Sequence, residues 1–233
     1  MELEQYFPKD LYHSYIIEGD TEKTGDFLLS FLEAKGEIEN KSPDVLYQVY
    51  ESFTKDNSGQ IIEWHSKLGI TKGKKVCIIA TKYINREAEQ TLLKIIEEPA
   101  TNTHFFIIVP DSSVLLKTII SRVHVIKLKE SVDVNLGLKK EVASFISSSP
   151  SDRINKIAEI IKNNKSEENT GQLRFYATLF INEIEKNIYE KFKKNTKDEN
   201  LKFILNELQK SRDYLSTPGA AVKMILEHIS LIL

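Results

Sequence analysis

The stretch Lys75 to Leu128, KVCIIATKYINREAEQTLLKIIEEPATNTHFFIIVPDSSVLLKTIISRVHVIKL, constrains the fold more than any other. Lys75–Ala80 is a β-branched run of the length expected of a strand buried on both faces. Asn85 is a candidate N-cap, and Glu87 falls in the turn that follows, where the helix dipole favours an acid. Ala88, Leu92, Ile95 and Ile96 then share one helical face, and Pro99 ends the helix. Phe105–Val109 reads as a second buried strand, closed by Pro110. Leu115–Ile120 has room for a turn or two of helix, which sets Ser121-Arg122 just before a last strand, Val123–Leu128. A strand, a crossover helix and a second strand in one sheet form the right-handed parallel unit of α/β proteins. The pattern therefore predicts an α/β core built on a parallel sheet.

Composition narrows the class without naming a function. A chain of 233 residues, 41% hydrophobic and 28% charged, can bury a proper core in one large or two small domains. A formal net charge of -2 supplies no global attraction to nucleic acid or to an anionic membrane, so any DNA contact needs a local patch. The start, MELEQYFPKD, does not read as a signal peptide, and no apolar run is long enough to span a bilayer. The single cysteine, Cys77, lies in a predicted strand; it fits a reducing cytoplasm and excludes both a disulfide framework and a four-cysteine zinc module.

Two linked motifs carry a family resemblance. Ala88, Leu92, Leu93, Lys94, Glu97, Glu98 and Pro99 spell A-x-x-x-L-L-K-x-x-E-E-P. Thr118, Ile119, Ser121 and Arg122 follow as T-I-x-S-R, with Val123 where the family has a cysteine. Ser42-Pro43-Asp44 matches an S-P-D segment that opens an earlier strand. With these motifs the chain resembles the ATPase-fold (AAA+) domain of bacterial DNA polymerase III clamp-loader subunits, and is most similar to the delta-prime type. The resemblance spans the whole chain but is sharp only between about Asn85 and Arg122. It implies an AAA+-like P-loop core over 1–130, a short helical lid over 131–168 and an all-α collar-like domain over 169–233. The implied partners are gamma/tau-like ATPase subunits, a delta-like subunit, the sliding clamp and, through the complex, primed DNA. In the family the arginine of the T-I-x-S-R turn reaches into a neighbouring subunit. By that likeness Arg122 is a catalytic arginine finger acting in trans, with Ser121 supporting its turn. The missing zinc module is a departure from many delta-prime-like chains.

The nucleotide-binding features of such a fold are degenerate here. Ser14–Glu18 is a short strand candidate, Gly19–Gly25 a loop and Asp26–Ala34 a helix, the order in which a P-loop occurs. Counted from Gly19, the pattern G-x-x-x-x-G-K-[ST] requires glycine, lysine and hydroxyl where the chain has Thr24, Gly25 and Asp26. Lys23-Thr24 is a K-T pair too early, and Asp26, a fitting N-cap, would repel a phosphate there. After the strand ending at Ala80, a working ATPase places an acidic pair for Mg²⁺ and water, whereas this chain has Thr81, Lys82 and Tyr83. The reading is a chain that binds no cofactor and does not hydrolyse ATP, with ATP and Mg²⁺ on partner subunits. A true NTPase with a divergent loop built on Gly19, Lys23 and Thr24, and a stand-alone DNA-binding protein, are the rival readings.

Elsewhere the patterns are structural. Val45–Tyr50 is a strand and Ser58–Leu68 a helix, with Trp64 packing that helix down. Leu138–Ile146, Arg153–Lys162, Leu173–Lys194, Leu201–Leu215 and the segment after Pro218 have helical period, with polar stretches at 130–137 and 163–171. Glu97 and Glu98 close a helix without an accompanying nucleophile or metal ligand, so they read as solvated or subunit-facing charge. His13, His65, His104, His124 and His228 are scattered, and no metal site is expected. The basic spot Lys191, Lys193, Lys194 and Lys197 is flanked by acids and reads as a solvated helix end.

Overall fold

The computed structural model describes residues 3–39, 41–71, 73–128, 136–163, 170–217 and 219–233. The expected polar segments at 130–137 and 163–171 fall mostly outside these residues. The chain divides into two compact units, Met1–Val134 and Asn135–Leu233.

The first unit is a five-stranded sheet of β1 (Ser14–Glu18), β2 (Val45–Phe53), β3 (Lys75–Ile84), β4 (Thr103–Val109) and β5 (His124–Lys127), in the order β2-β3-β4-β1-β5. Every pairing is parallel, with Ile16 opposite Ile107 and Val125, and Ile79 opposite Ile107. Helices α1 (Lys23–Ala34), α2 (Lys55–Ser66), α3 (Arg86–Glu97) and the single turn α4 (Lys117–Ile120) connect the strands. Because strand side chains alternate faces, consecutive residues of the apolar runs divide between two cores. Tyr15, Ile17, Val76, Ile78, Ala80, Phe106 and Ile108 meet Leu28 and Leu32 of α1. Ile16, Cys77, Ile79, Phe105 and Ile107 meet Ile61 of α2, Ala88, Leu92, Ile95 and Ile96 of α3, and Ile119 of α4. The predicted parallel α/β core is thus present, and Asn85 caps α3 as expected, its Oδ1 accepting from the Ala88 N–H at 2.8 Å.

Boundaries move where tertiary partners extend an element. β3 continues past Ala80 because β2 runs on to Phe53 and pairs with it through Phe53 and Ile84. α2 starts at Lys55 rather than Ser58, since Asn57 Oδ1 accepts both the Thr54 N–H and its hydroxyl, closing the helix start. α1 starts at Lys23, so Asp26 is not its N-cap; that correction bears on the site below.

The S-P-D segment has a structural reason. Asp44 is 3% exposed, and its carboxylate accepts from the Ile70 N–H at 2.8 Å and from the Thr71 N–H and hydroxyl at 2.6 and 2.7 Å. Burial alone would raise its carboxyl, but the hydrogen bonds from Thr71 and Ile70 and the nearby Lys75 charge outweigh it and hold the group below the usual carboxylate range. A lowered folded value contributes stability that is present above the unfolded carboxylate range and lost as pH falls through the folded value. Asp44→Asn is therefore expected to cost about 2 kcal/mol at neutral pH, and the gap to the parent should close on acidification. Urea midpoints followed by Trp64 fluorescence at several pH values check this, and a gap that widens at low pH would refute it.

The second unit is helical: α5 (Leu136–Ile146), α6 (Pro150–Asn163), α7 (Thr170–Lys194), α8 (Glu199–Ser216) and α9 (Val222–Ile232). Val142 and Phe145 of α5, Ile157 and Ile160 of α6, Phe180 and Ile184 of α7, Leu208 of α8 and Leu226 and Ile229 of α9 share one core. The helices expected to form a lid and a collar are therefore parts of one packed cluster. Arg153 staples it: 5% exposed, it donates from Nε to the Ser230 carbonyl at 2.8 Å. Among the described residues no helix is long and apolar enough to cross a membrane.

Candidate functional site

Parallel strands give the sheet two chemically distinct ends, and the expected site residues divide between them. Strand C-termini, with the loops that follow, are where open α/β sheets bind ligands. Gly19, Asp20 and the start of α1 lie there, following β1, and so do Thr81 and Lys82 near the end of β3. Arg122 precedes β5, whose His124 pairs with Tyr15 near the start of β1. Arg122 is thus at the strand N-terminal end, roughly 15 Å or more from Gly19 by strand rise alone.

At the C-terminal end the loop is occupied by the chain's own groups. Asp20 Oδ1 accepts from the backbone N–H groups of Glu22 and Lys23, both at 2.9 Å. These are the kind of helix-start donors that a phosphate would otherwise use. Thr24 is buried, and its hydroxyl packs so closely on Gly19 that a Cβ at Gly19 would lie 2.6 Å from Thr24 Oγ1. A Cβ at Gly25 would lie 2.2 Å from the Tyr47 Oη, so the ring of Tyr47 fills the space over the first turn. Asp26, expected as an N-cap, is instead a charge acting on the Tyr47 hydroxyl; burial, then that charge, push the phenol up to about 12. Lys23 is the exposed first residue of α1.

The positions of the expected acidic pair are committed as well. Thr81 is fully buried and donates its hydroxyl to the Tyr83 carbonyl at 2.8 Å. Lys82 pairs with Glu51 at 2.8 Å, and the fields of Glu22 and Asp20 help that pair hold its ammonium above the usual lysine range. A cation therefore stands where a metal-binding carboxylate would be needed.

At the opposite end Arg122 is set in a defined turn. Its Nη1 donates to the Thr118 carbonyl and to Ser121 Oγ, both at 3.1 Å, and Ser121 Oγ itself donates to the Thr118 carbonyl at 3.0 Å. Arg122 Nε lies 2.7 Å from Glu97 Oε1, with both side chains a little over two-fifths exposed. The structure thus brings Ser121 and Arg122 together and pairs Arg122 with one acid of the E-E-P motif. The sequence suggests solvated or subunit-facing charge at Glu97, since its partner is distant in the chain and comes close only when α3 runs back along the sheet.

A second acid braces this turn. Glu89 is 1% exposed and accepts from the Leu116 N–H at 2.9 Å while pairing with Arg86 at 2.9 Å. Burial pushes its carboxyl up, against the Arg86 charge and the Leu116 bond. Glu89 ties α3 to the residue that opens α4, and α4 carries Thr118. One signal in the sequence could have found it: an acid placed on the apolar stripe of Leu92 and Ile96 must be buried and so must have partners.

Five of the remaining candidates have structural partners. His65 Nε2 accepts from the Ala100 N–H at 3.0 Å, His104 Nδ1 lies 2.8 Å from the Tyr12 carbonyl, and His124 stacks on Tyr12 at 5.1 Å. His228 pairs with Glu207 at 3.0 Å, and Lys193 with Glu190 at 2.8 Å. Among the described residues no group of three or more His, Cys, Asp or Glu could hold a metal ion.

Residues 35–132 match the family model described as DNA polymerase III, delta subunit. No curated protein matches the chain. Among solved structures, a DNA polymerase III, gamma subunit-related protein from Thermotoga maritima is 17% identical with a TM-score of 0.46, covering 99% of this chain and 96% of that one. A Bacillus subtilis DNA clamp loader delta protein is 14% identical with a TM-score of 0.38, covering 94% of each. At such low scores these two likenesses bear on neither function nor partners. The matched segment does contain Asp44, Glu89, Glu97, Ser121 and Arg122. Over residues 35–132, this chain is similar to the DNA polymerase III, delta subunit family.

Proposed function

We propose that the chain is a non-hydrolysing, delta-prime-like subunit of a cytoplasmic DNA polymerase III clamp loader. It takes a place in a ring with gamma/tau-like ATPase subunits and a delta-like subunit, and the ring loads a sliding clamp on primed DNA. The observation that carries this reading is the separation of the two ends of the sheet. Arg122 is a half-exposed guanidinium held in a turn at the strand N-terminal end, too far from the chain's own loop to serve a nucleotide there. A cation so placed can act only on a phosphate brought by another molecule. The family match over 35–132 supports a loader as the setting. The self-occupied loop at Asp20, with Lys82 in place of an acid, supports a chain that holds neither ATP nor Mg²⁺.

The test is to recover the complex formed by the tagged chain and to measure its ATP hydrolysis with and without Arg122→Ala. A complex whose hydrolysis is indifferent to the substitution, or no ATP-hydrolysing partner at all, would sink the reading. A separate prediction concerns the isolated chain. Titrated with ATP and Mg²⁺ it should show no saturable binding up to millimolar nucleotide. Saturable binding abolished by Lys23→Ala would establish the divergent-loop NTPase instead. Salt-sensitive binding of primed DNA by the isolated chain would favour the DNA-binding reading.

A further inference from the structure

We infer that Glu97 is a positioning residue for Arg122, orienting its guanidinium for the phosphate of a neighbouring subunit. This rests on the reading that Arg122 acts in trans. Three groups hold the guanidinium: Thr118 and Ser121 at Nη1, and Glu97 at Nε. Nη2 makes no hydrogen bond to a described residue, so it is the nitrogen left for an incoming oxyanion. The groups at Nη1 sit within the same turn as Arg122, whereas Glu97 reaches it from α3. Glu97 is therefore the contact that fixes the turn's cation relative to the sheet core, because Ile95 and Ile96 beside it are buried against the strands.

Exposure sets how tightly the pair holds. Both side chains reach water, so the pair orients without desolvating either charge, and releasing it onto a phosphate costs little. An arginine with no such acid would lose more side-chain freedom on meeting its target, and a buried pair would resist transfer. A pre-set guanidinium acts where charge develops, so its orientation enters the rate of the chemical step rather than the affinity for ATP.

The test is a double-mutant cycle on the ATP-hydrolysing complex recovered with the tagged chain, read by single-turnover hydrolysis and by the KM for ATP. Glu97→Ala is expected to lower the hydrolysis rate constant about tenfold, with KM unchanged, and to cause no further loss when Arg122 is already Ala. Glu97→Gln keeps the size of the side chain and should lower the rate in the same direction but less. The thermal midpoint of the chain should stay put in all these variants, which separates positioning from a folding defect. If Arg122→Ala slows hydrolysis but both Glu97 variants leave it unchanged, this inference fails while the proposed function stands. An equal further loss in the Arg122→Ala background also overturns it, because Glu97 would then act independently. If Arg122→Ala itself has no effect, the proposed function falls and takes this inference with it.

Discussion

In the proposed loader, Arg122→Ala should leave the chain folded and the complex assembled, yet slow ATP hydrolysis about a thousandfold at the neighbouring nucleotide site proposed for it. The fold is spared because the side chain is half-exposed and its ion pair with Glu97 is a surface pair worth at most about 1 kcal/mol. The rate is not spared, because a fixed guanidinium stabilises charge that accumulates on the transferring phosphoryl group. Arg122→Lys should recover little of the loss. An ammonium retains the charge but cannot keep Thr118 and Ser121 on one nitrogen while offering another in the same plane. Single-turnover hydrolysis by the complex, beside size-exclusion profiles of each variant, measures both halves of the expectation. A wild-type rate in the alanine variant would leave Arg122 a surface charge.

The second large effect is on stability. Glu89→Ala is expected to destabilise the first unit by about 3 to 4 kcal/mol. Removing the carboxylate takes away the acceptor of the Leu116 N–H, the partner of Arg86, and the packing of a side chain with a fiftieth of its surface exposed. Glu89→Gln keeps an acceptor for Leu116 and lets Arg86, half-exposed, turn to solvent, so about 1 kcal/mol is expected. Trp64, the chain's single tryptophan, lies in α2 of this unit and reports its unfolding apart from the helical one. A shift in urea midpoint at constant slope gives the cost. The pH dependence has the opposite sign to that of Asp44. A raised folded value contributes stability that is full below the unfolded carboxylate range and lost as pH rises through the folded value. The deficit of Glu89→Gln should therefore shrink toward neutral pH. A cost for Glu89→Ala below about 1 kcal/mol would mean that the turn before β5 is held by apolar packing alone.

The core was legible because its signals are local and redundant. β-branched runs of strand length, an Asn cap, a clean apolar helical stripe and a terminating proline all point one way between Lys75 and Val109. Boundaries were less legible where a partner decides them. Nothing in Thr81–Ile84 announces a strand as clearly as Val76–Ala80 does, and its pairing with β2 is what extends it. The start of α1 moved because Asp20, three residues before Lys23, closes the helix start from outside the predicted helix.

What the sequence by itself determined is the parallel α/β class, a loop after the first strand that departs from the G-x-x-x-x-G-K-[ST] pattern, and the arginine in its motif, because each depends on residues near one another in the chain. Only the tertiary structure decided what those residues face. It put Arg122 and the loop at opposite ends of one sheet, gave Glu97 to Arg122 and Tyr47 to the first turn of α1, and buried Glu89 beneath α4. Each of these contacts joins residues at least 22 positions apart, as for Tyr47 and Gly25. Their proximity follows from strand order and register, which the pattern of any single segment does not contain.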